Sequence, residues 1–386
     1  WRPFLRHTPL LDSRPMPIIR VSAAIVRNRD GQFLLVRKKG TTAFMFPGGK
    51  PEPGETPDQT LIRELDEELN LRVGTEDLTF VGTFRTNAAN EANTQLLADV
   101  FTLDDSLRWS NSADGSNDGD DIDVGNNDNN DAHDVTPYAE IDAAHWFTSE
   151  DIKTEREPIA PLTREVVPQL YGRGFLLFTG SALGNNPVYR EAVESLVHSI
   201  GAHNDHVVYG GGRAGLMGVV GDAAAGDGTL CIGVIPYLLA GVDGPNGFNQ
   251  GGRSYVIPRA DGTVPTPARG EIAHDRLTRL ELVPTMSARK TRMGELADIV
   301  VGLPGGAGTV DELFDAWTQQ QLGYTQHAVA LLNVNGYWDP LISAIKHMVA
   351  EGFLSSAYLE SLIIADTPRE LYEKVDAWVP PAPKWG

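Results

Sequence analysis

Two stretches of this 386-residue chain carry residue types spaced for phosphate chemistry. In the first, Arg63, Glu64, Glu67 and Glu68 follow a turn-rich run from Phe46 to Glu55 that contains Gly48 and Gly49. On a helix, Glu64, Glu67 and Glu68 stand at i, i+3 and i+4 and converge on one patch, where without a cation they repel. A hard divalent ion, Mg²⁺ or Mn²⁺, removes that repulsion and suits oxygen ligands, whereas the bland alternative is a solvated acidic face. The second stretch is Pro304-Gly305-Gly306-Ala307-Gly308-Thr309-Val310-Asp311-Glu312. It follows the apolar run Ile299 to Leu303 and leads into Leu313, Phe314 and Trp317, which reads as strand, glycine turn and helix start. Glycines let backbone N–H groups close on an anion, the helix N-terminus adds positive partial charge, and Thr309 offers a hydroxyl. Glu312 then falls on the first helical turn, facing whatever hangs from the phosphate. A plain βα turn, with Glu312 helping to cap the helix, fits the same residues.

The elements that must position these groups fall into two halves. Ile18 to Val26 and Gln32 to Val36 are β-rich runs joined by Asn28-Arg29-Asp30-Gly31, a hairpin signal. A helix from Thr56 to Asn70 follows, with Pro57 and Asp58 in its opening turn and Leu61, Ile62, Leu65 and Leu69 on its buried side. Residues 151–173 mix charge with Pro158, Pro161 and Pro168 and read as a linker containing one short helix. From Phe175 onward, strands and helices alternate: strands at His206 to Gly210, Leu230 to Ile235, Leu280 to Pro284, Ile299 to Leu303 and Ala328 to Val334 predict a doubly wound parallel sheet. Ligands of such a sheet bind at the carboxyl ends of its strands. The domains are therefore expected at 18–150 and 174–380, the chain being α/β overall.

Composition narrows the classes. The formal charge is -20, but residues 104–134 hold ten Asp against one Arg and account for -9 of it. That segment is rich in Asn, Gly and Ser and reads as a disordered surface insertion at about 106–134. Asp114, Asp118, Asp120 and Asp123 crowd together there without EF-hand spacing or a closing Glu, which disfavours a calcium loop. The acidic balance argues against nucleic acid as a partner, and no run of about 18 apolar residues argues for a membrane span. Cys231 is the sole cysteine, so no internal disulfide forms, and a cytoplasmic location is the expectation. The chain begins at Trp1, and Arg2, Arg6 and Arg14 are at most a weak hint of a transit segment.

The first constellation closely resembles the Nudix box. Gly49, five residues, Glu55, seven residues, then Arg63-Glu64-Leu65, one residue, Glu67-Glu68 and Leu71 reproduce it, with Asn70 where the family has glycine. Asn tolerates the left-handed conformation that a helix end wants. The resemblance implies a mixed α+β fold and hydrolysis of a phosphoanhydride in a nucleoside diphosphate derivative. Glu64, Glu67 and Glu68 would hold the metal, the Gly49 carbonyl and Glu55 would assist, and Arg63 would orient a carboxylate. Glu140, just before Trp146-Phe147, is a candidate general base, and Arg37, Lys38 and Lys39 are candidates to meet phosphates.

In the second half, Gly210-Gly211-Gly212-Arg213-Ala214-Gly215 satisfies a dinucleotide glycine pattern, but on the second strand and without a following acid for a ribose hydroxyl. Neither glycine loop is followed by a P-loop lysine. Phe178-Thr179-Gly180-Ser181, Tyr209 to Gly212 with Gly215 to Gly218, Met286 with Arg289-Lys290, and Pro304 to Glu312 occur in the order of the LOG ("Lonely Guy") family. The resemblance covers 174 to about 355. It implies cytokinin riboside 5'-monophosphate phosphoribohydrolase activity on a nucleotide-binding Rossmann-like fold. Some relatives carry an old lysine decarboxylase label, which nothing in the residues supports. Arg289 matches the family's catalytic arginine; a guanidinium keeps its protons, so its role is electrostatic positioning. Glu312 would stabilise the cation developing on the ribose. Gly305, Gly306, Gly308 and Thr309 would hold the 5'-phosphate, with Gly180, Ser181, Gly211 and Lys290 around it. No cofactor is required at this site. Two departures are Ser287, where histidine is frequent, and a long stretch at 237–270 that could cover the base pocket or be a passive loop.

Together the resemblances imply a bifunctional hydrolase in which the first domain makes the nucleoside monophosphate that the second cleaves, acting on AMP or N6-modified adenine nucleotides and their di- and triphosphates. The alternatives are a nucleotide-pool enzyme acting on ADP-ribose or damaged nucleotides, and a non-catalytic nucleotide sensor. LOG relatives assemble, so a homo-oligomer is expected.

Overall fold

The structure is a computed structural model that describes residues 16–28, 30–91, 93–103, 139–241, 248–250, 253–258 and 273–384. The acidic insertion, with its clustered Asp114, Asp118, Asp120 and Asp123, lies outside the described residues. No helix among those described is long and apolar enough to cross a membrane.

In the first half, strand Ile18–Ile25 runs parallel to Gln95–Leu103, which pairs antiparallel with Leu78–Asn87. The short strand Gly48–Gly49 closes the other edge. The expected hairpin is only half there. Asn28 Oδ1 accepts from the Gln32 amide at 2.9 Å and a single bridge joins Arg27 to Phe33, so the turn forms as read. Beyond it the strands separate, because Ile18–Ile25 finds eight register partners in Gln95–Leu103 while Phe33–Lys38 pairs antiparallel with Ile141–Phe147. Helix Pro57–Leu69 lays Leu61, Leu65 and Leu69 on this scaffold and ends at Asn70, whose φ of 51° is the left-handed cap the sequence suggested.

Residues 151–173, expected as a linker, contribute to the core instead. Helix Pro161–Gln169 buries Leu162, Val166 and Val167 with Phe33, Phe44 and Phe147, and Thr163 Oγ1 accepts from the Phe46 amide at 3.3 Å. The prolines misled because Pro161 sits at the first helical position, where its missing N–H costs nothing.

The second half is a nine-stranded sheet in the order Phe248–Gln250, Arg253–Val256, Arg279–Val283, Cys231–Pro236, His206–Tyr209, Gly174–Phe178, Ile299–Gly302, Ala328–Leu332, Ile363–Ala365. The last seven pair in parallel, and only Arg253–Val256 runs against the rest, antiparallel to both its neighbours. Both faces are covered, so the strands are apolar throughout. Phe175, Leu177, Val207, Tyr209 and Val301 fill one core, whereas Leu176, Phe178, Val208 and Val300 fill the other. The strand order reverses between Gly174–Phe178 and Ile299–Gly302, and a cleft opens at such a switch point.

The stretch 237–270, read as either a pocket cover or a passive loop, does a third thing where it is described. Its two antiparallel strands extend the sheet and dock it on the first half: Tyr255 packs edge-on against Phe80 with ring centroids 5.1 Å apart, among Leu78 and Phe101. Nearby, the Thr83 amide donates to Thr278 O at 2.6 Å and Arg279 Nη1 donates to Val81 O at 3.0 Å. Leu230 and Ile232 of the second half join the first half's core. Tyr255 is only 2% exposed, so Tyr255→Ala is expected to cost about 3–5 kcal/mol, the usual loss for truncating a buried aromatic. Denaturant titration followed by circular dichroism checks this; a loss within about 1 kcal/mol would mean the contact holds nothing together.

Candidate active sites

The first site lies where helix Pro57–Leu69 faces strand Gly48–Gly49. A Cβ on Gly49 would fall 2.2 Å from Glu64 Cδ, so only glycine lets the Glu64 carboxylate lie against that backbone. Glu68 is 1% exposed and accepts from the Gly48 amide at 3.2 Å. Burial pushes its carboxyl up to about 7, against the opposing pull of Lys38. Lys38 Nζ reaches Glu68 Oε1 at 2.8 Å and Glu140 Oε1 at 2.5 Å, and its hydrogen bond holds the Glu140 carboxyl below the usual range. Glu64, Glu68 and Glu140 bring their oxygens within 4.8 Å of one another. Three hard oxygen donors around one point suit a divalent cation, which would take the place that the Lys38 ammonium holds between Glu68 and Glu140.

Glu67, expected as a ligand, has a side chain 57% exposed and pairs with Arg63 Nη1 at 3.1 Å. Glu140, expected as a base, stands beside Glu64 and Glu68 in the cluster. Helical spacing could not show this, because Glu140 arrives through the pairing of Phe33–Lys38 with Ile141–Phe147. Arg63 organises the rest: its Nε donates to Glu55 Oε1 at 2.8 Å and its Nη1 to Glu64 Oε1 at 2.8 Å. That hydrogen bond holds the Glu55 carboxyl down at about 2. Arg37 is committed to Asp142 at 2.8 Å. Lys39 donates to Ala139 O at 2.7 Å.

The second site lies at the sheet's switch point. Gly180, after one central strand, donates to Pro304 O after the other at 3.1 Å, and a Cβ on Gly305 would fall 2.1 Å from Thr309 Oγ1. Thr309 is 4% exposed, and its hydroxyl lies against Gly305. Helix Ala307–Gln321 begins inside the glycine run, with Gly306 as its cap, no side-chain cap and no acid in its first turn. Its opening amides are therefore placed for an anion. Because the helix starts at Ala307, Glu312 sits in the second turn, not the first, out of reach of the cap. It faces Arg289 instead, Oε1 to Nη1 3.6 Å.

Arg289 is the fixed point of this site. It is 8% exposed on helix Met286–Glu295, and it donates from Nε to Val234 O at 3.0 Å and from Nη2 to Gly210 O at 3.2 Å. A Cβ on Gly210 would lie 1.7 Å from Nη2, so the glycine run after His206–Tyr209 exists to admit the guanidinium. Gly211, at φ 71°, accepts from the His274 amide at 2.9 Å and lies buried under the site. Ser181 is exposed beside Gly215, whose φ of 57° lets it pack on the Ser181 carbonyl carbon. Lys290 is held by Asp311 Oδ2 at 2.7 Å. Gly210→Ala is expected to displace Arg289 and cut kcat/KM at this site about 10²-fold, the usual cost of a displacement near 1 Å. Steady-state kinetics on a nucleoside monophosphate measures it; an unchanged kcat/KM would remove Arg289 from the site.

Comparison with known proteins agrees with this layout. A family model described as a NUDIX domain matches residues 16–170, and one described as a possible lysine decarboxylase matches residues 217–375. The probable cytokinin riboside 5'-monophosphate phosphoribohydrolase LOGL2 of Oryza sativa subsp. japonica is 34% identical over 215 residues, which is 56% of this chain and 77% of that protein. The chain belongs to the LOG family. A second LOG protein, the cytokinin riboside 5'-monophosphate phosphoribohydrolase LOG2 of Arabidopsis thaliana, is 34% identical over 208 residues, 54% of this chain and 84% of its own length. The LOG half is joined here to a Nudix domain, and both are hydrolase domains. Nudix domains use divalent ions such as Mg²⁺, in keeping with the cluster of Glu64, Glu68 and Glu140.

Proposed function

We propose that this LOG-family hydrolase activates cytokinin-type nucleotides in two steps. At the Nudix site a nucleoside diphosphate and water give the monophosphate and orthophosphate; a triphosphate gives the monophosphate and pyrophosphate. At the LOG site the bond from the base nitrogen to ribose C1′ breaks, water adds its oxygen to C1′, and the base leaves with a proton. The products are free adenine-type base and ribose 5-phosphate.

The observation that carries the second step is the Arg289–Glu312 pair at 3.6 Å beside an uncapped helix N-terminus. The opening amides of Ala307–Gln321 bind the 5'-phosphate. Glu312 offers a carboxylate to the ribose as positive charge develops there, which is the interaction that lowers this barrier. Arg289, anchored by two strand-end carbonyls, keeps that carboxylate aimed and adds charge opposite the phosphate. At the Nudix site Glu64, Glu68 and Glu140 would hold Mg²⁺, which when bound neutralises the diphosphate and lowers the pKa of water. Arg63 aligns Glu64 through Nη1 and keeps Glu55 ionised.

Incubating the protein with N6-isopentenyl-AMP and no metal, then separating products by chromatography, tests the second step alone. Free N6-isopentenyladenine with an equal amount of ribose 5-phosphate is expected. Tight binding without either product would make the site a sensor.

A further inference from the structure

The cavity beside the carboxylate cluster has a second character that the carboxylates do not explain. It holds about 420 Å³ and is lined by Lys38, Lys50, Glu64 and Glu140, but equally by Ile19, Val21, Met45 and Leu96. Those four apolar side chains are half-buried, while the core behind them is sealed. Strand Ile18–Ile25 gives the cavity its direction. Ala23 pairs with Gly48 next to the cluster, whereas Ile19 pairs with Leu96 four residues earlier. Val21 stands two residues from Ala23 and Ile19 four, so at about 3.3 Å per residue the aliphatic wall extends from about 7 Å to about 13 Å from the charged end. Its far end lies where the base of an extended nucleoside diphosphate falls when the terminal phosphate meets the carboxylates.

The wall is unlike a site for an unmodified purine. Phe46, the aromatic residue lining this cavity, is only 4% exposed, so its ring face is not open for stacking. Asn87 and Asn90 supply amides and Glu91 a carboxylate, and Ile19, Val21, Leu96 and Leu162 are among the apolar residues beside them. We infer that this wall selects nucleotides whose base carries an apolar substituent, with Leu96 and Val21 as specificity-determining residues of the Nudix site. The inference rests on the proposed phosphoanhydride hydrolysis at Glu64, Glu68 and Glu140. It places the discrimination between modified and plain bases before the glycosidic step, so that the LOG site receives an already selected monophosphate.

The test compares kcat/KM for N6-isopentenyl-ADP and ADP, with Mg²⁺, by orthophosphate release. The wild-type protein is expected to prefer the isopentenyl substrate by about tenfold or more, as burial of several methylenes gives. Leu96→Asn and Val21→Thr, the latter nearly isosteric, are expected to bring that ratio towards one. Base release from N6-isopentenyl-AMP at the LOG site reports in the same samples that each variant is folded. A ratio near one in the wild type, or an unchanged ratio in both folded variants, overturns the inference and leaves the hydrolytic reading standing. If the wild type releases no orthophosphate from either diphosphate, the hydrolytic reading itself is overturned.

Discussion

Glu312→Ala is expected to lower kcat for base release from a nucleoside monophosphate by about 10²–10³-fold, while KM changes little. Arg289 is held by Val234 O and Gly210 O independently of Glu312, so removing the carboxylate leaves the guanidinium where it was. The proposed phosphate site consists of backbone amides of Ala307–Gln321 and the Gly180–Pro304 contact, neither of which needs the Glu312 side chain. Ground-state binding is thus preserved. What disappears is the negative charge that the ribose meets only as its glycosidic bond breaks, and such an interaction affects kcat rather than KM. Chromatographic assay of free base over a range of AMP concentrations separates the two parameters. A loss below tenfold would show that another group stabilises the cation. Orthophosphate release from a diphosphate should be untouched, because the Nudix carboxylates belong to other elements.

Glu64→Gln is the counterpart. It keeps the side chain's shape against Gly49 and removes the charge of one of the three carboxylates that converge within 4.8 Å. Phosphoanhydride hydrolysis is expected to fall about 10²–10³-fold, with Mg²⁺ affinity weakened in calorimetry. Glu67→Gln is the informative control. Its carboxylate is exposed and bound to Arg63, so its loss should cost less than tenfold. Equal losses in the two variants would mean that the cluster is drawn from the wrong carboxylates. Base release from AMP should continue in both.

Much of both sites was legible because short-range spacing and backbone geometry carry it. Glu64 and Glu68 share a helix face through an i, i+4 relation, and Gly49 and Gly210 are glycines because a carboxylate and a guanidinium occupy the space of their Cβ atoms. Arg289 and Glu312 were legible as members of motifs, although twenty-three residues separate them. What was not legible depends on tertiary pairing. Glu140 enters the carboxylate cluster through the antiparallel pairing of its strand with that of Lys38, about a hundred residues away in the chain. Asn28 and Gln32 make a sound turn, yet no local signal says that the flanking strands join different sheets. Leu162, Val166 and Val167 looked like a linker's residues because prolines punctuate them, and burial against Phe44 and Phe147 is invisible without the fold. Tyr255 lies in a stretch whose composition suggested a loop; its role as a dock between halves comes from Phe80 across the interface.

Under the proposed function, two chemically separate sites act in order on one nucleotide. The most direct measurement gives N6-isopentenyl-ADP and Mg²⁺ to the wild type, to Glu64→Gln and to Glu312→Ala, and follows orthophosphate, N6-isopentenyl-AMP and free base together. The wild type should release orthophosphate and then base, Glu64→Gln should release neither while still cleaving added N6-isopentenyl-AMP, and Glu312→Ala should accumulate N6-isopentenyl-AMP. Free base appearing from the diphosphate at the wild-type rate in Glu64→Gln would contradict the order, and with it the account.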